Sequence, residues 1–166
     1  SFLQGHRELS RMLWKDVVSW ATKNPGPILD LYSGMGVTGI LCALSGHDVT
    51  MVEADPALTK AALQTLSENS LEARVMAGLV EDVLPHLARD CFSTVLLNPP
   101  RTGCSEQALQ LVSHLQPYRI NYVSCHPATC ARDIHALKHY RLEKVIGYDL
   151  FPQTAHVECW ATLTRR

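Results

Sequence analysis

The chain has 166 residues, of which 46% are hydrophobic and 19% charged, and its formal net charge is −1. That length accommodates one well-buried domain and is short for two, and the composition excludes a disordered or fibrous protein. The balanced charge lacks the basic footprint of a stand-alone nucleic-acid binder, and no apolar stretch reaches bilayer-crossing length or forms a signal-peptide core.

An amphipathic segment, ELSRMLWKDVVSWAT (8–22), forms a leading helical element within residues 1–25. The first predicted strand, PILDLY (27–32), runs into DLYSGMGVTG, where Gly34, Gly36 and Gly39 satisfy G-x-G-x-x-G ahead of a helix at 37–45. Glycines there allow a tight turn and close approach of the backbone to a ligand. NAD, FAD and S-adenosylmethionine sites all use such a turn, and a turn that holds no ligand competes with them. Asp30, just before the glycines, favours S-adenosylmethionine, because a carboxylate suits the cofactor's ammonium group and repels a pyrophosphate. A simple turn-forming role for Asp30 is the alternative. The second strand, DVTMVE (48–53), ends in Glu53, which is placed to accept hydrogen bonds from a ribose diol.

Helices at 56–69 and 80–89 flank the third strand, EARVMA (72–77). The fourth strand, STVLLN (93–98), leads into NPPRTGC. Its two prolines stiffen the backbone, and Arg101 suits bidentate contact with a phosphate. Asn98-Pro-Pro is also the pattern of enzymes that methylate exocyclic amines, which makes a rival reading. A helix at 104–115 precedes the fifth strand, INYVSC (120–125), and Pro127 opens a further helix to residue 138. Cys125 therefore sits at the positive end of a helix, which favours a thiolate able to add to an electron-poor carbon. Packing is the bland alternative, and the polar flanks Ser124 and His126 count against it.

The sixth and seventh strands, EKVIGYDL (143–150) and HVECWATLTR (156–165), are joined by FPQTA with no helix between them. That link is too short for a parallel crossover, so the last strand should run antiparallel to its neighbour. Glu158 stands among apolar residues of this strand, where a raised pKa would suit a general base. An ion pair with Arg101 or Arg132 is the competing explanation. The alternation of strands and helices predicts an α/β fold of the class I methyltransferase, Rossmann-like type. It has a seven-stranded, mostly parallel sheet with an antiparallel last strand and helices on both faces, in one domain over 1–166.

The six cysteines are scattered through apolar segments and include no C-x-x-C pair, so neither a disulfide framework nor a metal site is expected. Residues 101–166 hold 8 Lys+Arg against 5 Asp+Glu, while residues 1–100 hold 7 against 11, an asymmetry compatible with one face meeting phosphates.

SFLQ, DLYSGMG, NPPRTG, YVSCHPATCARDI and DLFPQTAHVE, in this order, resemble the RNA (uracil-C5)-methyltransferase family, which makes 5-methyluridine in tRNA or rRNA. The likeness covers essentially the whole chain, and the motifs around Cys125 and Glu158 are its specific part. It implies that Cys125 attacks C6 of a flipped-out uracil, that C5 takes the methyl group of S-adenosylmethionine, and that Glu158 removes the C5 proton. Cofactor contacts carry over to Gln4, Tyr32, Glu53 and the position of Asn98, alongside Asp30, Gly34 and Gly36. Arg101 and His156 are assigned to the substrate.

The chain departs from the family pattern at five places. Ser33 stands for a Cys, Asn98 for an Asp, His6 and His126 for Asn, and Gly78 for a cofactor-contacting residue after the third strand. Asn98 keeps the hydrogen-bonding shape but loses the charge. Family members also carry an N-terminal oligonucleotide-binding barrel and a central RNA-contacting region. Neither precedes Ser1 here, so the chain is expected to be an excised catalytic domain that grips RNA weakly. A monomer acting on RNA in the cytoplasm, with no membrane and no metal, is the expected setting.

Overall fold

The computed structural model describes residues 4–150 and 157–166, with side chains from residue 7 onward. In chain order it contains α1 (Gln4–Ala21), β1 (Ile28–Leu31), α2 (Val37–Leu44), β2 (Val49–Glu53), α3 (Pro56–Glu68), β3 (Arg74–Ala77) and α4 (Val80–Val83). There follow β4 (Thr94–Leu97), α5 (Glu106–Leu115), β5 (Arg119–Ser124), α6 (Pro127–Ala136), β6 (Tyr140–Tyr148) and β7 (Glu158–Arg165). The seven strands form one sheet in the order β3-β2-β1-β4-β5-β7-β6. β1 to β5 pair in parallel, and β7 runs antiparallel to both β5 and β6. The reversed last strand is present as expected, and it inserts between its two neighbours instead of adding to the sheet's edge.

β1 and β4 are short apolar runs buried on both faces, as parallel strands covered by helices must be. One core, with Leu31, Leu97, Leu109, Val112 and Tyr122, lies on the α4–α5–α6 face. The other, with Leu13, Val17, Ile28, Met51, Leu96 and Trp160, lies under α1, α2 and α3. The leading helix is locked into this second core. Buried Asn121 donates from Nδ2 to the Val17 carbonyl at 3.3 Å and accepts from Trp160 Nε1 at 2.7 Å. Arg119 also stacks on Trp20 at 4.8 Å. Because Arg119 opens β5 and meets the end of α1, the helix runs back along the strand, and its first turns approach the end where Cys125 follows.

Several expected boundaries shift, two of them for a readable physical reason. The helix expected at 80–89 is only α4 followed by a 3-10 turn over Leu84–His86. Pro85 has no N–H to donate and its ring clashes with the preceding turn's carbonyl, so the α-helix stops there. β6 starts at Tyr140 and ends at Tyr148, because its partner β7 is long enough to pair from Arg165 back to Glu158. Among the described residues, no helix is long and apolar enough to cross a membrane.

Candidate functional site

The chain crosses from β1 outward to β2 and β3 and then returns to β4, so the carboxyl ends of β1 and β4 flank a topological switch point. A cavity of about 340 Å³ opens there, lined by Tyr32, Glu53, Gly78, Glu81, Asn98 and Pro99 together with neighbouring apolar residues. The glycine loop builds one wall. Ser33 N–H donates to the Val52 carbonyl at 3.1 Å, which ties the loop to β2. Gly36 adopts φ +84° as the residue before α2, and a Cβ there would lie 2.9 Å from Met51 Sδ, so both its conformation and its packing demand glycine. Tyr32 also lies in the left-handed region, at φ +57°, a conformation that non-glycine residues reach mainly where the surroundings impose it.

Glu53 is oriented by the backbone. Its Oε2 accepts from Gly34 N–H and its Oε1 from Asp55 N–H, both at 2.8 Å. The remaining lone pairs stay available to hydroxyl donors in the cavity, so this wall fits a ribose diol, a contact that S-adenosylmethionine and dinucleotide sites share.

Asp30 is fully buried behind the glycine loop, with Oδ2 accepting from Thr38 Oγ1 at 2.9 Å and Oδ1 without a partner among the described residues. Its strand position pairs with buried Met51, and its carboxylate lies against Gly39 in the first turn of α2. Burial pushes its pKa up to about 7 from an ordinary value of 3.8. A raised carboxyl pKa leaves stability intact while Asp30 is protonated in both states. Stability is then lost as pH rises from about 4 to about 7, by a total of about 4 kcal/mol at 1.36 kcal/mol per pH unit. Asp30→Asn should remove this slope: urea unfolding at pH 5 and pH 8 should show a smaller loss of stability in the variant than in the wild type. Equal slopes would disprove the assignment.

The chemistry side lies at the same carboxyl edge, one and two strands away. β5 and β7 pair antiparallel up to Ser124 opposite Cys159. Cys125 follows Ser124 and Glu158 precedes Cys159, so both residues adjoin the last pair of that register at the same end of the two strands. Both side chains are half-buried. Burial pushes the Glu158 carboxyl above its ordinary pKa. No cation ion-pairs with it among the described residues; Arg132 pairs with Asp133 instead, at 2.7 Å. Arg101 is exposed on the loop after β4. The Gln4 side chain and His156 lie outside the described residues.

His126 has a local explanation. It is the N-cap of α6, with Nδ1 accepting from Thr129 N–H at 3.3 Å while its own N–H donates to Ser124 Oγ at 3.1 Å. Asparagine is a preferred N-cap, and the imidazole nitrogen performs the same task here. Cys130 is buried in the core, as expected for packing. Two features escaped the sequence reading. One is the cavity wall from Leu79 to Glu81, next to the Gly78 position already singled out, and the other is the buried Asp133, whose only sequence signal is a charge in the apolar phase of α6. Among the described residues, no group of three or more His, Cys, Asp or Glu is gathered to hold a metal.

Comparison with known proteins follows this geometry. The sequence model described as tRNA (Uracil-5-)-methyltransferase matches residues 1–166. An uncharacterized RNA methyltransferase of Protochlamydia amoebophila is 35% identical over 164 residues, covering 95% of this chain and 38% of the relative. Another, from Gloeobacter violaceus, is 40% identical over 141 residues, covering 83% of this chain and 30% of the relative. The chain thus spans well under half the length of these relatives.

Among solved structures, the Pyrococcus abyssi tRNA (uracil-54, C5)-methyltransferase in complex with S-adenosyl-L-homocysteine superposes with a TM-score of 0.81 at 30% identity, covering 92% of this chain and 38% of that one. The magnesium protoporphyrin IX methyltransferase of Synechocystis with bound SAM, at 16% identity and a TM-score of 0.73, shares the fold alone. With a family match from the first residue to the last and the class I methyltransferase sheet order, the chain belongs to the tRNA (uracil-5-)-methyltransferase family.

Proposed function

We propose that this chain is a catalytic domain that transfers a methyl group from S-adenosylmethionine to C5 of a uridine in tRNA or rRNA. The observation that carries the reading is the β5–β7 register, whose last pair, Ser124 opposite Cys159, is flanked by Cys125 and Glu158 at the edge of the sheet where the cavity with its oriented Glu53 opens. A nucleophile and a base with a raised pKa on one rim are what activation of a pyrimidine ring needs, and amine methylation needs neither.

In this reading Glu53 holds the ribose, Tyr32 and Asn98 wall the cofactor cavity, and Arg101 meets an RNA phosphate. Cys125 Sγ, as thiolate, forms a bond to C6 and leaves electron density on C5. S-adenosylmethionine supplies the methyl group that C5 takes up, with S-adenosylhomocysteine as the leaving group. Glu158 then accepts the C5 proton, and the electron pair of that C–H bond expels the Cys125 thiolate from C6. The target base must be extruded for C5 and C6 to be reached, so a loop uridine is the suitable substrate.

RNA carrying 5-fluorouridine tests this, since fluorine at C5 cannot leave as a proton does. With S-adenosylmethionine present it should give a stable protein–RNA complex on a denaturing gel. S-adenosylhomocysteine should raise the melting temperature and NAD should not. Ligand-induced stabilisation without any covalent complex would replace this reading by amine methylation built on Asn98.

A further inference from the structure

We propose that Asp133, acting with Arg132, is a positioning residue that sets the distance between the wall of the cofactor cavity and Cys125. This role rests on the uracil reading above. Asp133 is fully buried, and its carboxylate accepts from Cys104 N–H at 2.7 Å, from the Tyr122 hydroxyl, and from Arg132 Nε at 2.8 Å. Arg132 Nη2 donates onward to the carbonyls of Thr102 at 3.0 Å and Cys104 at 3.3 Å. Thr129 Oγ1, one turn earlier on α6, donates to the Arg101 carbonyl at 3.3 Å.

The loop after β4 is thereby fastened to α6 through its backbone, from Arg101 to Cys104. Gly103 closes the fit. Its φ is +80°, and a Cβ there would lie 2.5 Å from Asp133 Oδ2 and 2.6 Å from Arg132 Nη2. This loop begins with Asn98, Pro99 and Pro100, which line the cavity, while α6 begins two residues after Cys125. Tyr122, three residues before Cys125 on β5, shares the same carboxylate. Three segments of the rim therefore converge on one buried charge.

Packing alone does not call for that choice. A hydrophobic residue of similar volume commonly stabilises a core as well as a buried ion pair does. A carboxylate that gathers backbone groups of a loop instead fixes where that loop stands. Misplacing reacting groups by about 1 Å costs on the order of 10²-fold in rate, which is the scale of effect a loosened latch would produce.

The test compares the wild-type chain with Asp133→Asn and Arg132→Ala. The Arg132 side chain is 57% exposed, so its removal leaves the hydrophobic core intact should Asp133→Asn fail to fold. The rate constant for covalent trapping of 5-fluorouridine RNA is measured at saturating RNA and S-adenosylmethionine. It is counted per site that binds S-adenosylhomocysteine, so that unfolded molecules do not contribute. Asp133→Asn should trap about 10²-fold more slowly and Arg132→Ala at least about tenfold more slowly. Arg132→Lys should recover only part of the loss, because an ammonium cannot span the carboxylate and both carbonyls as the guanidinium does. Wild-type rate constants in both Asp133→Asn and Arg132→Ala would overturn the positioning role alone. No complex with the wild-type chain would overturn the uracil reading and this role with it.

Discussion

Cys125→Ala is expected to eliminate uridine methylation, by roughly 10⁴-fold or more, as loss of a covalent nucleophile does. The variant should still bind S-adenosylhomocysteine, because Cys125 is not among the residues lining the cofactor cavity. It should also fold, since Cys125 is only half-buried and its neighbours Ser124 and His126 satisfy each other through their own hydrogen bonds. Tritium release from uridine labelled at C5 provides the assay, with melting temperature and ligand affinity as controls. Turnover within about tenfold of the wild type would reduce Cys125 to packing and leave the covalent route without a nucleophile.

Glu158→Gln should behave differently, and the contrast separates the two roles. Glutamine keeps the side chain's shape and cannot take a proton, so attack by Cys125 and methyl transfer proceed while release of the product stalls. Turnover should fall about 10²- to 10⁴-fold, the range for removing a general base, while a methylated covalent complex accumulates on ordinary uridine RNA. Combining it with Cys125→Ala should abolish that complex.

The pH dependence has a defined sign. The base works ionised, and burial raises the Glu158 pKa, so wild-type turnover should decline on the acid side at a higher pH than an exposed glutamate would impose. That acid limb should be missing from the residual activity of Glu158→Gln. A Glu158→Gln enzyme that turns over at the wild-type rate with an unchanged pH profile would remove Glu158 from the chemistry.

Much of this arrangement is legible in the chain because its determinants are local. Strands such as ILDL and TVLL announce burial on both faces through mostly apolar runs, and Gly36 stands in a turn that a larger residue cannot make without meeting Met51. The missing crossover before β7 is equally readable, since a link too short to hold a crossover helix can join only antiparallel neighbours in this way. The broken helix after Val83 was also written in the sequence, at Pro85, and the periodic apolar pattern on either side masked it.

Asp30 shows the limit of such reading. A carboxylate in a strand before a glycine loop gives no local sign of how deeply it is buried. Its full burial and its bond to Thr38 follow from the way β1 stacks beneath α2. Asp133 is the reverse case. A charge in the apolar phase of α6 is its one local sign, and its partners Cys104 and Tyr122 lie 29 and 11 positions away in the chain.

The sequence by itself determined which residues are candidates for the chemistry: a cysteine at a strand end, a glutamate in an apolar strand, and a glycine turn followed by Glu53. Composition, periodicity and turn stereochemistry act within a few residues and need no distant partner. Tertiary structure alone decided which of them meet. The insertion of β7 between β5 and β6 sets the register whose last pair, Ser124 opposite Cys159, has Cys125 and Glu158 as its chain neighbours, and strand pairing of that kind is a long-range choice made by the burial of whole faces.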